Sequence, residues 1–208
     1  MYTLYYSPGA CSMAVHVIFN ELGEKVNLVN VSVPQGQPKP AEFLKVNPRG
    51  QVPVVVDDGQ AIREGGAILV YLLDKHKSPL LPREGKARAR ALEWLMFSNA
   101  TLHPAYGKLF HASKALSGDV QAHVKSAAIE QINKLWQDVE KHLSGSEYLA
   151  GDEITVGDIL MTVIANWSAN FPGITLGTNA KRLFKKVIAR PSYQKALAAE
   201  KVEYKVAA

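Results

Sequence analysis

The sequence is poor in cysteine: Cys11 is the only one among 208 residues. No internal disulfide can form, and without a Cys-x-x-Cys pair a dithiol–disulfide cycle within one chain is excluded. No apolar run approaches the ~18 residues of a membrane span. The first residues, Met1-Tyr2-Thr3-Leu4-Tyr5-Tyr6, lack the charged stretch and long apolar segment of a secretory signal. A cytoplasmic location is the default expectation that follows. Charge runs are missing too. The formal net charge is +5, but the basic residues stand singly or in pairs such as Lys181-Arg182 and Lys185-Lys186, below the five or six like charges of a nucleic-acid-binding tail. The histidines, at 16, 76, 103, 111, 123 and 142, pair with no cysteine or carboxylate at metal-ligand spacing. The expectation is therefore a protein with no metal, no nucleic-acid partner and no membrane segment.

What remains is ordinary for a globular chain, with 47% hydrophobic and 21% charged residues. Its two halves differ. Residues 1–80 hold seven Lys/Arg and seven Asp/Glu, whereas residues 81–208 hold 17 and 12 and so carry the whole excess. A mildly basic half suits a small anionic ligand.

The first half reads as mixed α/β. Tyr2 to Tyr6 is a β-rich run stopped by Ser7-Pro8-Gly9. Val15, Ile18, Phe19 and Leu22 then recur at helical spacing before Gly23. Val26 to Val33 reads as a strand, 41–46 as a short helix, and Val52 to Val56 as a third strand. Asp57-Asp58-Gly59-Gln60 signals a hairpin into a fourth strand at Ala61, and a helix spans 64–75. Lys77-Ser78-Pro79-Leu80-Leu81-Pro82 reads as a linker. Beyond it the pattern is helical, at about 84–112, 119–143, 155–170, 178–189 and 192–203, with Pro104 as a kink. Thr155-Val156-Gly157-Asp158 has the form of a capping box, opening a helix that is apolar around much of its circumference and so buried. The expected domains are 1–80 and 84–208.

Cys11 follows a Pro-Gly turn at the opening of a helix. Helix N-termini favour anions, so the position suggests a lowered thiol pKa; a small buried thiol with no role is the alternative. Tyr6 offers a hydroxyl that can donate to a bound sulfur, and equally an ordinary strand aromatic. Pro53 belongs at a strand's start or edge. In a cis peptide it leaves the Val52 peptide groups free to pair with an extended ligand, with Gln51 as a neighbouring side-chain donor. Glu64-Gly65-Gly66 lies where a strand meets a helix. The backbone N–H groups there suit a carboxylate and Glu64 suits an ammonium group, which together match an amino-acid head group; a solvated first-turn Glu beside a flexible glycine pair is the other reading. His103, before Pro104, is a further candidate, with a surface or satisfied core histidine as the other reading.

These segments resemble bacterial beta-class glutathione transferases. The resemblance lies in Tyr-Tyr-Ser-Pro-Gly-Ala-Cys-Ser at 5–12, Val46-Asn47-Pro48-Arg49-Gly50-Gln51-Val52-Pro53, Ile62-Arg63-Glu64-Gly65-Gly66-Ala67-Ile68 with Tyr71-Leu72, Glu93-Trp94-Leu95, Leu102-His103, Ile154-Thr155-Val156-Gly157-Asp158 and Ala189-Arg190-Pro191. It covers nearly the whole chain, and its motifs lie in order. It implies a thioredoxin-like α/β N-terminal domain, an all-α C-terminal domain and a homodimer. It implies a cis Pro53, with Val52 binding the cysteinyl part of glutathione, Glu64 and Gly65 its γ-glutamyl head, and Cys11 and His103 beside its sulfur. Three departures stand out. The loop Pro34-Gln35-Gly36-Gln37 lacks the family's usual basic residue and has Lys39 as its nearest cation, Met96 replaces a usual Asn, and Thr101 replaces a usual Glu.

The reading is a cytoplasmic detoxification enzyme, a glutathione S-transferase that uses glutathione as co-substrate. Cys11, His103 and Tyr6 are the catalytic candidates. Gln51, Val52, Pro53, Glu64 and Gly65 join Cys11 and His103 in binding glutathione, and Tyr106, Leu109, Phe110 and Trp167 line a pocket for a small hydrophobic electrophile. Two rivals stand beside it: thiol transfer or peroxide reduction through a Cys11 mixed disulfide, and a non-catalytic ligand-binding or partner-binding protein on the same fold.

Overall fold

The computed structural model describes residues 1–206. The chain divides into two compact units, Met1–Arg83 with Ile188–Glu203, and Glu84–Val187 with the segment from Tyr204.

The first unit is thioredoxin-like. Its elements are β1 (Tyr2–Tyr6), α1 (Ser12–Leu22), β2 (Val26–Asn30), α2 (Ala41–Val46), β3 (Val54–Asp57), β4 (Gln60–Arg63), α3 (Gly65–Lys75) and, from the far end of the chain, α9 (Pro191–Glu200). The sheet runs β2-β1-β3-β4. β1 pairs parallel with β2, Leu4 opposite Leu28, and antiparallel with β3, Leu4 opposite Val55. β3 turns into β4 through Asp58 and Gly59, both at positive φ (44° and 87°), as the Asp-Gly signal requires of a tight hairpin. Alternation along β1 sends Tyr2, Leu4 and Tyr6 to a buried face. α1 and α3 pack together and onto the strands, with Val17, Ile18, Phe19, Ile68 and Leu72 fully buried. Tyr5 takes the other face and stacks on Phe43 of α2, ring centroids 5.3 Å apart, in a smaller core with Val31 and Val54. Each fully buried aliphatic side chain is worth roughly 1.5–3 kcal/mol of transfer free energy, so these two layers dominate the unit's stability.

The second unit is helical: α4 (Gly85–Met96), a π-helical turn (Phe97–Leu102), α5 (His103–Ala115), α6 (Gly118–Leu143), α7 (Val156–Ala165), a 3-10 turn (Asn166–Asn170) and α8 (Thr178–Ile188). Every residue of α7 is buried. Its start is fixed by the capping box: Asp158 accepts from Thr155 N at 2.7 Å and from Leu149 N at 2.8 Å. Gly157 lets α7 approach α4, since a Cβ there would lie 3.1 Å from Leu95 N and from Trp94 Cβ. The single helix expected over 84–112 is interrupted by the π turn, in which His103 N bonds Ser98 O, five residues back. The following Pro104 has no N–H to give the ladder, and a π turn is one way a helix absorbs such a residue. No helix of the described residues is long and apolar enough to cross a membrane.

Candidate functional site

In the first unit, the turn Ser7-Pro8-Gly9-Ala10 delivers Cys11 to the N-cap of α1. The turn is tied at both ends. Ser12 Oγ donates to Ser7 O and accepts from Ser7 N, each at 3.2 Å. Gly9 N donates to Glu200 Oε2 at 2.9 Å, and the other oxygen of that buried carboxylate holds His16 Nδ1 of α1 at 2.9 Å. Glu200 thus anchors the Cys11 loop from α9. Sequence reasoning missed it, because a carboxylate 191 positions from its backbone partner leaves no local signal.

Cys11 is half-buried, and its thiol donates to the carbonyl of Val52 at 3.6 Å. The lowered pKa expected from its helix position is corrected here. Burial pushes the thiol up to about 11, and the opposing backbone N–H bonds at Ser12 and Cys11 are too weak to reverse it. At neutral pH the group is a protonated hydrogen-bond donor. Tyr6 is buried, with its ring centroid 6.3 Å from that of His16. Burial and the nearby Glu200 charge raise its pKa.

Val52–Pro53 is a cis peptide lying just ahead of β3, which begins at Val54 and not at Val52 as the apolar run suggested. The turn before it is organised by Asn47, only 2% exposed: Asn47 Nδ2 donates to Gln51 O at 2.8 Å and Gly50 N to Asn47 O at 2.9 Å. Glu64 sits between β4 and α3 at φ 69°, ψ 116°, a costly region for a residue with a Cβ and one that collects at ligand clamps. Gly65 opens α3, whose first ladder bond runs from Ile68 N to Glu64 O. The N–H groups ahead of it stand outside the helical ladder. Arg49 Nη1 meets Glu64 Oε1 at 2.9 Å. Lys39, the nearest cation to the loop that lacks a basic residue, donates to Val31 O at 2.9 Å.

The second unit gathers His103, Tyr106 and Phe110 around Trp167. They fall at i, i+3 and i+7 on α5 and so share one face. Their ring centroids lie 5.0, 5.8 and 5.6 Å from that of Trp167, all edge-on, a favoured aromatic geometry. Phe171 extends the wall, 5.2 Å from Phe110, and was not foreseen. Tyr106 OH is held by Ser168 Oγ at 2.6 Å and by the indole N–H of Trp136 at 2.8 Å; burial raises its pKa to about 12. Burial lowers the pKa of His103, so its ring is neutral at pH 7, with one N–H donor and one acceptor. Tyr106 and Leu109, both expected to line the pocket, are fully buried. Leu109 lies on the buried stripe of α5 that carries Ala105 and Ala112. Among the described residues no group of three or more His, Cys, Asp and Glu could hold a metal ion.

The first unit is thioredoxin-like, with a cis-Pro peptide just ahead of β3 and a cysteine at the start of α1, in a chain whose other unit is all-helical. Comparison with known proteins narrows this description. Residues 1–74 match the family model for the glutathione S-transferase N-terminal domain and residues 94–191 that for its C-terminal domain. Glutathione S-transferase GST-4.5 of Xanthomonas campestris pv. campestris is 34% identical over 95% of this chain and 98% of that protein. The beta-class glutathione S-transferase of Sphingomonas chungbukensis superposes with a TM-score of 0.81 at 32% identity, covering 97% of this chain and all of that one. A sphingomonad glutathione S-transferase complexed with glutathione gives 0.82 at 31%, with the same coverage. The chain belongs to the glutathione S-transferase family, and its structural neighbours include bacterial beta-class members.

Proposed function

We propose that this protein binds glutathione along the Val52 edge and conjugates its thiol to a small hydrophobic electrophile. The amino-acid slot carries the reading: Glu64, held at positive φ ahead of the glycine N–H groups of α3, offers an acceptor for an ammonium group beside donors for a carboxylate. Gln51, Val52 and Pro53 supply the strand edge, and Cys11 a neutral S–H donor. His103 is the side chain we assign to the sulfur, as hydrogen-bond donor. Tyr6, buried against His16, is the weakest of the catalytic assignments. Tyr106, Leu109, Phe110 and Trp167 form the proposed electrophile pocket, with partly exposed Phe110 at its wall and the fully buried Tyr106 and Leu109 behind it. In the reaction the glutathione S–H passes its proton to solvent water, sulfur forms a bond to the electrophilic carbon, and the leaving group departs with the electron pair of the bond it breaks. A preorganised donor to the thiolate is worth about 3 kcal/mol in a dry site.

The protonated state of Cys11 favours this route over a mixed disulfide on Cys11, because a thiol held at a pKa of about 11 is a poor nucleophile at neutral pH. We further propose a cytoplasmic homodimer acting on foreign electrophiles. The lone cysteine supports the location, and family membership supports the assembly. Calorimetric titration with glutathione tests the reading: saturable binding at millimolar concentration or below is expected, and no heat at that concentration defeats it.

A further inference from the structure

The Arg49–Glu64 pair is solvent-exposed, 55% and 64% for the two side chains, and pairs of that kind add little to stability. Its placement is nevertheless built. Arg49 rides on the turn that buried Asn47 organises, with Arg49 N on Asn47 Oδ1 at 3.3 Å. The facing segment is tied independently, by Arg63 Nη2 on Val46 O at 2.5 Å. Arg63 and Lys39 thus both spend donors on backbone carbonyls, whereas Arg49 faces the carboxylate that an incoming ammonium group would claim.

We propose that Arg49 is a binding residue for the α-carboxylate of the ligand's amino-acid head. This rests on the reading of the site as a glutathione site. A zwitterion set against an ion pair closes a ring of alternating charge: the ligand ammonium meets Glu64, the ligand carboxylate meets Arg49 and the N–H groups at the start of α3, and the Arg49–Glu64 contact completes the ring. Each charge then has opposite neighbours, and the array stays neutral. The planar guanidinium fork serves Glu64 and a second carboxylate together, as an ammonium point charge does not. The ligand class selected is a thiol peptide whose head keeps both a free amine and a free α-carboxylate. Arg49 lies in the segment Val46 to Pro53, but its partner Glu64 shows only in the fold.

Two ligands separate the contributions: glutathione, and the analogue whose γ-glutamyl α-carboxyl is an amide, so that the ammonium group remains. By calorimetry, Arg49→Gln weakens glutathione about tenfold, the scale of one hydrogen bond to a charged group, and leaves the affinity for the amide analogue unchanged within about twofold. Arg49→Lys recovers part of the loss. Unchanged affinity for glutathione in Arg49→Gln overturns the proposal. So does an equal loss for both ligands, which would mean that Arg49 acts only by holding Glu64. Failure of the wild-type protein to bind glutathione at all is a different result: it removes the underlying reading, and this inference with it. Because Arg49 is exposed, the thermal melts of both variants are expected to match wild type.

Discussion

The two units present opposite kinds of surface. The first offers fixed polar groups on loops and element ends: the Val52 carbonyl, the start of α3, Glu64 and a thiol kept protonated. The second offers rings, with the partly exposed His103 and Phe110 each meeting Trp167 within 6 Å. Directional polar groups discriminate steeply between ligands, because a mismatch leaves a buried donor or acceptor unpaired, whereas an apolar wall separates homologous ligands only weakly. The contrast fits one invariant ligand, glutathione, and many variable electrophiles.

Breaking the polar side has the largest expected effect. Glu64→Ala removes the ammonium acceptor, and glutathione affinity is expected to fall by about 2–3 kcal/mol, roughly 30- to 150-fold. Calorimetry reads this directly, and a loss under threefold contradicts the head-group assignment. On the apolar side, Trp167→Ala is expected to raise the KM for a hydrophobic electrophile about tenfold, while the KM for glutathione stays within twofold. Equal losses for both substrates would blur the distinction between the two surfaces.

Stability gives sharper controls within one unit. Gly157→Ala puts a methyl 3.1 Å from α4 backbone and is expected to cost about 1–3 kcal/mol in denaturant unfolding. The smallest effect follows from Cys11. Its folded pKa, about 11, exceeds the ordinary thiol value of 9.0, so the native state holds the proton where the unfolded chain releases it. The stability this contributes is complete below pH 9 and is lost as pH rises through about 11. Cys11→Ala should flatten the stability–pH curve in that window alone. His103 has the opposite sign. Its lowered pKa makes stability fall with falling pH below about 6.5, because the unfolded chain takes up the proton first. His103→Ala should remove that slope.

Much of this was legible beforehand. β1 and α2 lie where the residue pattern puts them, the Thr155–Asp158 capping box forms, and α7 is buried throughout. These features follow from short-range chemistry, in periodicity, caps and turn residues. The misses are long-range or electrostatic. The π turn ahead of His103 depends on how the helix accommodates Pro104, and the sequence marks a kink without its form. The Cys11 thiol follows its burial and not its helix terminus, because desolvation outweighs the backbone N–H groups. Glu200 acts across 191 positions, and the Arg49–Glu64 pair joins two separate loops that only the fold brings together.

The most direct test is thioether formation from glutathione and an activated aryl halide, measured for wild type and Cys11→Ala beside mass spectrometry after incubation with glutathione disulfide. Catalysed thioether formation is expected in both proteins, with no glutathione adduct on Cys11 at neutral pH. Loss of catalysis in Cys11→Ala, together with a one-glutathione adduct on the wild-type protein, would contradict that expectation and assign the chemistry to the Cys11 thiolate.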